Sequence, residues 1–157
     1  MQLTIKTQVP LGYTTPSFPS LYWPINPRPG EPRHLYYPYD IWRFTLYWTI
    51  LTYAGVHLIT SLWAVLMQLR SAYLTKTKPL GEANKMRSTL VWVWAIPAVY
   101  LLIAGLEAVL AGSVVGVVLG AVYQAGYFKM STWMPLLWGL LNVGVLILSS
   151  FSIQGGL

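Results

Sequence analysis

Apolar residues dominate the chain from about residue 42 to 153, broken by only two polar links. The first run extends from Trp42 to Leu69, with Arg43 its one charge, at the edge. The second extends from Thr89 to Tyr123, with Glu107 its one charge, and the third from Ser131 to Ile153 with none. About 20 apolar residues at a rise of 1.5 Å cross a hydrocarbon core of about 30 Å, so each run is long enough to span a bilayer as a helix. The pattern predicts an all-α integral membrane protein with about three transmembrane helices, over 42–69, 89–123 and 131–153. As one helix the second run is about 52 Å long, too long for an upright crossing, so it must tilt, kink or project. Pro97 offers a kink site. The alternative is two short legs turning near Gly105 to Ala108, which makes four membrane segments.

Residues 1–40 have a different texture. Pro10, Pro16, Pro19, Pro24, Pro27, Pro29, Pro32 and Pro38 fall here, eight of the chain's eleven prolines. Proline lacks the backbone donor and blocks helix interiors, so this domain is read as an irregular tail, and 41–157 as the helical membrane domain. Tyr13, Phe18, Tyr22, Trp23, Tyr36, Tyr37 and Tyr39 make the tail aromatic. It is either loose, or it wraps a partner or lies on the bilayer surface, both of which aromatics favour. Asp40 is placed to cap the first helix. Trp42, Tyr47 and Trp48 suit an interfacial belt. The link over 70–88 carries Arg70, Lys76, Lys78, Lys85 and Arg87, with a turn at Lys78-Pro79-Leu80-Gly81.

Composition sharpens the class. Of 157 residues 55% are hydrophobic and 9% charged, against about 25% charged in soluble domains. The net charge is +6, but the basic residues are dispersed, so no nucleic acid is expected as a partner and membrane lipid is. Basic residues divide evenly between the two sides, and the 70–88 link is marginally favoured as cytoplasmic. With no cysteine, thiol chemistry and Cys-ligated metals are excluded. No phosphate-cradling loop, HExxH or GxSxG is present, so neither a cofactor nor a metal site is expected and the chain reads as a non-enzyme.

Three polar side chains sit near the middle of their runs: His57, Glu107 and Asn142. A carboxyl at that depth needs a partner, and His57 is the natural one. The cluster reads either as a proton-bearing or lipid-headgroup site, or as hydrogen-bonded glue between helices worth about 1 kcal/mol per bond. The second run carries Ala104, Ala108, Gly112, Gly116 and Gly120 at every fourth position. Such a ladder admits another helix closely: run one, run three, a second copy or another protein.

Trp42, Trp48 and His57, followed by an apolar run to Arg70, resemble the first span of the transmembrane protein 170 family. Gly116-Val-Val-Leu-Gly-Ala-Val-Tyr-Gln-Ala-Gly126 is similar to the Gly- and Ala-rich end of that family's second span, and Lys129-Met130 and the third span fit as well. The resemblance covers about residues 38–153. It implies three spans in the endoplasmic reticulum membrane and nuclear envelope, a lumenal N-terminus, and a role in organising membrane shape that favours sheets over tubules. Two further readings stand beside it. One is an accessory subunit of a larger membrane complex, such as a lipid-handling one, docked through the ladder and the tail. The other is an enzyme or transporter built on His57 and Glu107.

Overall fold

The computed structural model of the chain describes residues 9–23, 33–75 and 92–155. Three helices carry the fold: α1 over Pro38–Thr75, α2 over Ala95–Ala125 and α3 over Trp133–Gly155. All three are long and apolar enough to cross a membrane. At 1.5 Å per residue they measure about 57, 46 and 34 Å. α2 is rich in β-branched valine, which in water leans toward strand. Inside a bilayer every backbone N–H must be satisfied within its own segment, and the helix does that.

α2 runs unbroken through Gly105 to Ala108, so the four-segment alternative is set aside. Two details of the second run differ from the sequence expectation. Trp92 and Val93 are helical, a turn follows at Trp94, and α2 proper starts at Ala95 rather than 89. Pro97 is the third residue of α2, where the backbone N–H has no intrahelical acceptor anyway, so it begins the helix instead of kinking it. Residues 89–91, the basic positions and turn within 76–88, and Lys6, Pro24, Pro27, Arg28, Pro29, Glu31 and Pro32 lie outside the described residues.

Asp40 does not cap α1. The helix begins at Pro38, whose ring presets the first-turn dihedral. Asp40 is buried in that first turn, its carboxylate accepting from Thr15 Oγ1 at 2.8 Å and lying 3.5 Å from an Arg43 nitrogen. Negative charge there also suits the helix dipole.

α1 is the centre of the bundle. It packs along α2 and, over a shorter length, along α3, while α2 and α3 barely meet. A two-residue strand before α1, β1 at His34–Leu35, pairs antiparallel with β2 at Met130–Ser131, between α2 and α3. The register is His34 to Ser131 and Leu35 to Met130. This ribbon turns Leu35 and Met130 inward, fully buried beside Ile41, Phe44 and Leu119. A second, smaller core of Tyr53, Ala108 and Val143 lies further along the helices. Packing is thus densest at the end where the ribbon sits. Beyond Ser61, the side chains of α1 described between Leu62 and Tyr73 are half-buried or exposed.

Candidate functional site: the ladder, the polar centre and the cap

The ladder of small residues finds its partner within the chain. Ala104, Ala108, Gly112, Gly116 and Gly120 are all buried. A β-carbon on Gly116 would stand 3.1 Å from the backbone of Trp42, and one on Gly120 would stand 3.1 Å from the Pro38 carbonyl. On Gly112 it would meet Thr49 Cβ at 3.0 Å. Helix α1 therefore covers the ladder, and no second protein is needed to explain it.

α1 meets Gly112 with Thr49, Gly116 with Trp42 and Gly120 with Pro38, and Thr45, one turn before Thr49, is buried too. Thr45 Oγ1 donates to the Ile41 carbonyl, and Thr49 Oγ1 to the Thr45 carbonyl, each at 2.8 Å. Hydroxyls satisfied on their own helix can face an apolar neighbour without an orphan donor. Thr52 Oγ1 reaches across to the Gly139 carbonyl of α3 at 3.1 Å. Gly139 is the matching small residue on α3, where a β-carbon would stand 3.0 Å from the Trp48 carbonyl carbon. Trp42 thus makes a close contact toward α2, and the Trp48 backbone makes one toward α3. Tyr47 remains exposed, and so does Arg70, further along α1. Gly139 and the threonine series escaped sequence reasoning; the spacing of Thr45, Thr49 and Thr52 was the available signal.

Of the three polar residues at mid-span, two meet. His57 Nε2 lies 3.5 Å from Glu107 Oε2. His57 Nδ1 donates to the Tyr53 carbonyl at 2.9 Å, since a carbonyl can only accept, and this holds the ring with Nε2 toward α2. Tyr53 stacks against the imidazole at 6.3 Å, and Tyr100 of α2 meets it edge-on at 6.2 Å. Glu107 Oε2 is buried with no hydrogen-bond partner, although the side chain as a whole is 39% exposed. Its other face is therefore turned toward lipid. This approach joins α1 to α2 at mid-span. Asn142 belongs to a different node. Its Nδ2 donates to Thr49 Oγ1 at 3.4 Å, and its backbone carbonyl accepts from the Tyr53 hydroxyl at 3.2 Å. Tyr53 is what links the two nodes. Among the described residues no three of His, Asp and Glu gather in one place.

The tail supplies the least expected feature. Residues 9–23 rest on the ribbon and the helix ends. Phe18 wedges its ring among Phe44, Tyr47 and Trp48 at centroid distances of 5.6, 5.4 and 5.1 Å. Tyr13 donates to the His34 carbonyl at 3.0 Å and packs edge-on against Tyr36. Its phenol is pushed up to about 12, first by burial and then by the Asp40 charge. Tyr22 bonds Ser131 Oγ at 2.8 Å, and its carbonyl accepts from Trp133 Nε1. Thr132 Oγ1 donates to the Ser20 carbonyl at 2.8 Å. Burying a whole phenylalanine contributes about 3–5 kcal/mol over alanine, and Phe18 is half-buried, so Phe18→Ala is expected to weaken tail docking by about 2 kcal/mol. Limited proteolysis of the full chain should then cut within 9–23, while melting of the helices stays unchanged. A tail as resistant as in the parent would show that Phe18 does not anchor it.

Residues 34–157 match the family described as Transmembrane protein 170A/B-like. Over 150 residues the chain is 35% identical to Uncharacterized protein YPR153W of Saccharomyces cerevisiae, covering 96% of this chain and 94% of the yeast protein. No solved structure matches.

Proposed function

Since this chain belongs to the Transmembrane protein 170A/B-like family, we propose that it is a non-enzymatic, multi-pass organiser of membrane shape in the endoplasmic reticulum and nuclear envelope, with its N-terminus in the lumen. Three apolar helices make it a membrane protein in contact with lipid. The compartment and orientation follow the resemblance carried by Trp42, Trp48, His57 and Arg70.

One observation supports the shaping role: the bundle is lopsided along its long axis. Tail residues 9–23, the ribbon, the turn between α2 and β2 and the larger core all gather at one end of the bundle. At the other end α1 and α2 reach past the smaller core with exposed apolar side chains. A body broader in one leaflet than the other strains the bilayer around it, and unequal spans add mismatch costing fractions of a kcal/mol per ångström. Within the chain, α1 covers the ladder and residues 9–23 rest on the ribbon, so both features have a partner without a second protein. The polar inventory favours binding helices together over catalysis. His57 and Glu107 are engaged with each other across two helices.

The test is depletion of the protein, followed by imaging of reticulum sheets and tubules and rescue with the full chain. A shift from sheets toward tubules that the full chain reverses is expected. Unchanged reticulum architecture would sink the proposal.

A further inference from the structure

At the capped end, exposed aromatic side chains stand next to each helix end in turn. Tyr37 and Tyr39 flank the first residue of α1. Tyr127 and Phe128 follow the last residue of α2. Trp23, 81% exposed, adjoins Tyr22, whose carbonyl holds the Trp133 indole at the first residue of α3. Leu11, wholly exposed, opens the tail segment two residues before Tyr13, which packs on Tyr36 and Tyr37. Each helix end at the cap thus carries an exposed aromatic side chain beside it. In water these side chains would be a costly surface, whereas aromatic rings with one polar edge are stable at the headgroup level.

Charge at this end has one sign in excess. Arg43 is paired with Asp40 and Arg33 lies over the Tyr22 ring, while Lys129 is exposed. Burial, and after it the nearby Lys129 cation, lowers the pKa of His34 below its ordinary value. Positive potential at a membrane edge draws anionic headgroups, at about 1 kcal/mol per basic residue.

We propose that the cap is an interfacial collar, lying within the headgroup layer of one leaflet with Leu11, Trp23, Tyr127 and Phe128 dipped toward the acyl chains and exposed Lys129 on anionic headgroups. The collar deepens the shaping role and rests on that reading for its consequence, because it puts the extra breadth into lipid rather than into water. Exposed polar residues of the same segment, such as Thr14 and Ser17, then face the aqueous side.

The chain has no cysteine, so single spin labels can be placed cleanly in the full protein. Leu11→Cys, Trp23→Cys and Phe128→Cys report on the collar, with Thr14→Cys as the aqueous reference and lipid-facing Leu110→Cys as the deep one. Each is reconstituted into phosphatidylcholine vesicles with and without phosphatidylserine, and relaxation is measured with oxygen and with a water-soluble nickel chelate. The collar labels should respond to oxygen more than to nickel, as Leu110→Cys does, and more strongly when phosphatidylserine is present. Nickel-dominated relaxation at these three positions would place the cap in water and overturn the proposal. Shielding from both reagents would do the same, because it would mean a protein contact. Oxygen-dominated relaxation indifferent to phosphatidylserine would overturn the headgroup assignment. Images of the same vesicles separate the two readings. Labels in lipid on vesicles of unchanged shape keep the collar and count against shaping, whereas reshaped vesicles with labels in water do the reverse.

Discussion

Leucine in place of Gly116 is expected to force α1 and α2 apart and to cost the bundle about 3 kcal/mol, the upper end of typical overpacking penalties. The reason is geometric. A β-carbon alone on Gly116 would stand 3.1 Å from the Cα, the carbonyl oxygen and the indole Cδ1 of Trp42. Two of those atoms are backbone and cannot swing aside as the tip of a flexible side chain can. Leucine adds three more carbons to a gap already tight for the first. Close approach matters more here than in a soluble core, because lipid tails are as apolar as leucine and helices associate through packing. Gly116→Ala should cost less, since a shift of a few tenths of an ångström accommodates it. Gly55→Leu is the control, since a β-carbon there would meet nothing within 4 Å. Circular-dichroism melting in mild detergent reads all three. If Gly116→Leu melts with the parent, α1 and α2 do not rely on that contact and the account of the ladder fails.

His57→Leu is expected to destabilise the bundle more than the double substitution His57→Leu with Glu107→Leu. Removing the imidazole leaves Glu107 Oε2, already without a hydrogen bond, buried with no polar partner. The exposed part of that side chain faces lipid, which offers it nothing. Breaking a buried pair from one side costs about 3–5 kcal/mol, while replacing both members with apolar residues is often neutral or better. The double variant should therefore recover most of the loss. Unfolding free energies of the four proteins in the cycle measure this directly. Strict additivity would mean that the two side chains do not sense one another, and that the link between α1 and α2 at this depth is packing alone. Asn142→Leu should add independently to His57→Leu, since Asn142 works through Thr49 instead.

The spans were legible in the chain because one rule governs them: an apolar run of sufficient length in a bilayer has few alternatives to helix. The ladder was legible because its fourth-residue period coincides with one helical face. Its partner was not, since α1 meets the glycines with Thr49, Trp42 and Pro38 rather than with a matching row of small residues, and threonine reads as polar until its hydroxyl is seen bonded to its own helix. The pairing of His57 with Glu107 followed from depth. Depth does not specify azimuth, however, and Asn142 falls on another side of α1. The cap escaped because it depends on partners far apart in sequence: Leu35 with Met130, Tyr22 with Ser131, Phe18 with Trp48. Two-residue strands leave no periodic pattern to detect. Asp40 misled because a carboxylate just before a helical run is a good cap by local rules. Pro38 started the helix two residues earlier and left that carboxylate for Thr15.

The same long separations set an order of assembly. Ser20 and Tyr22 bond to Ser131, Thr132 and Trp133, between 109 and 112 residues later in the chain. A nascent chain emerges tail first, so those partners have not yet been synthesised when the first helix enters the membrane. Tail docking cannot be completed until the start of the third helix has been delivered to the same face. The hydrogen bonds from tail to Ser131, Thr132 and Trp133 therefore act as a seal on finished insertion. A chain that stalls after two helices lacks these partners, and its tail cannot make these bonds.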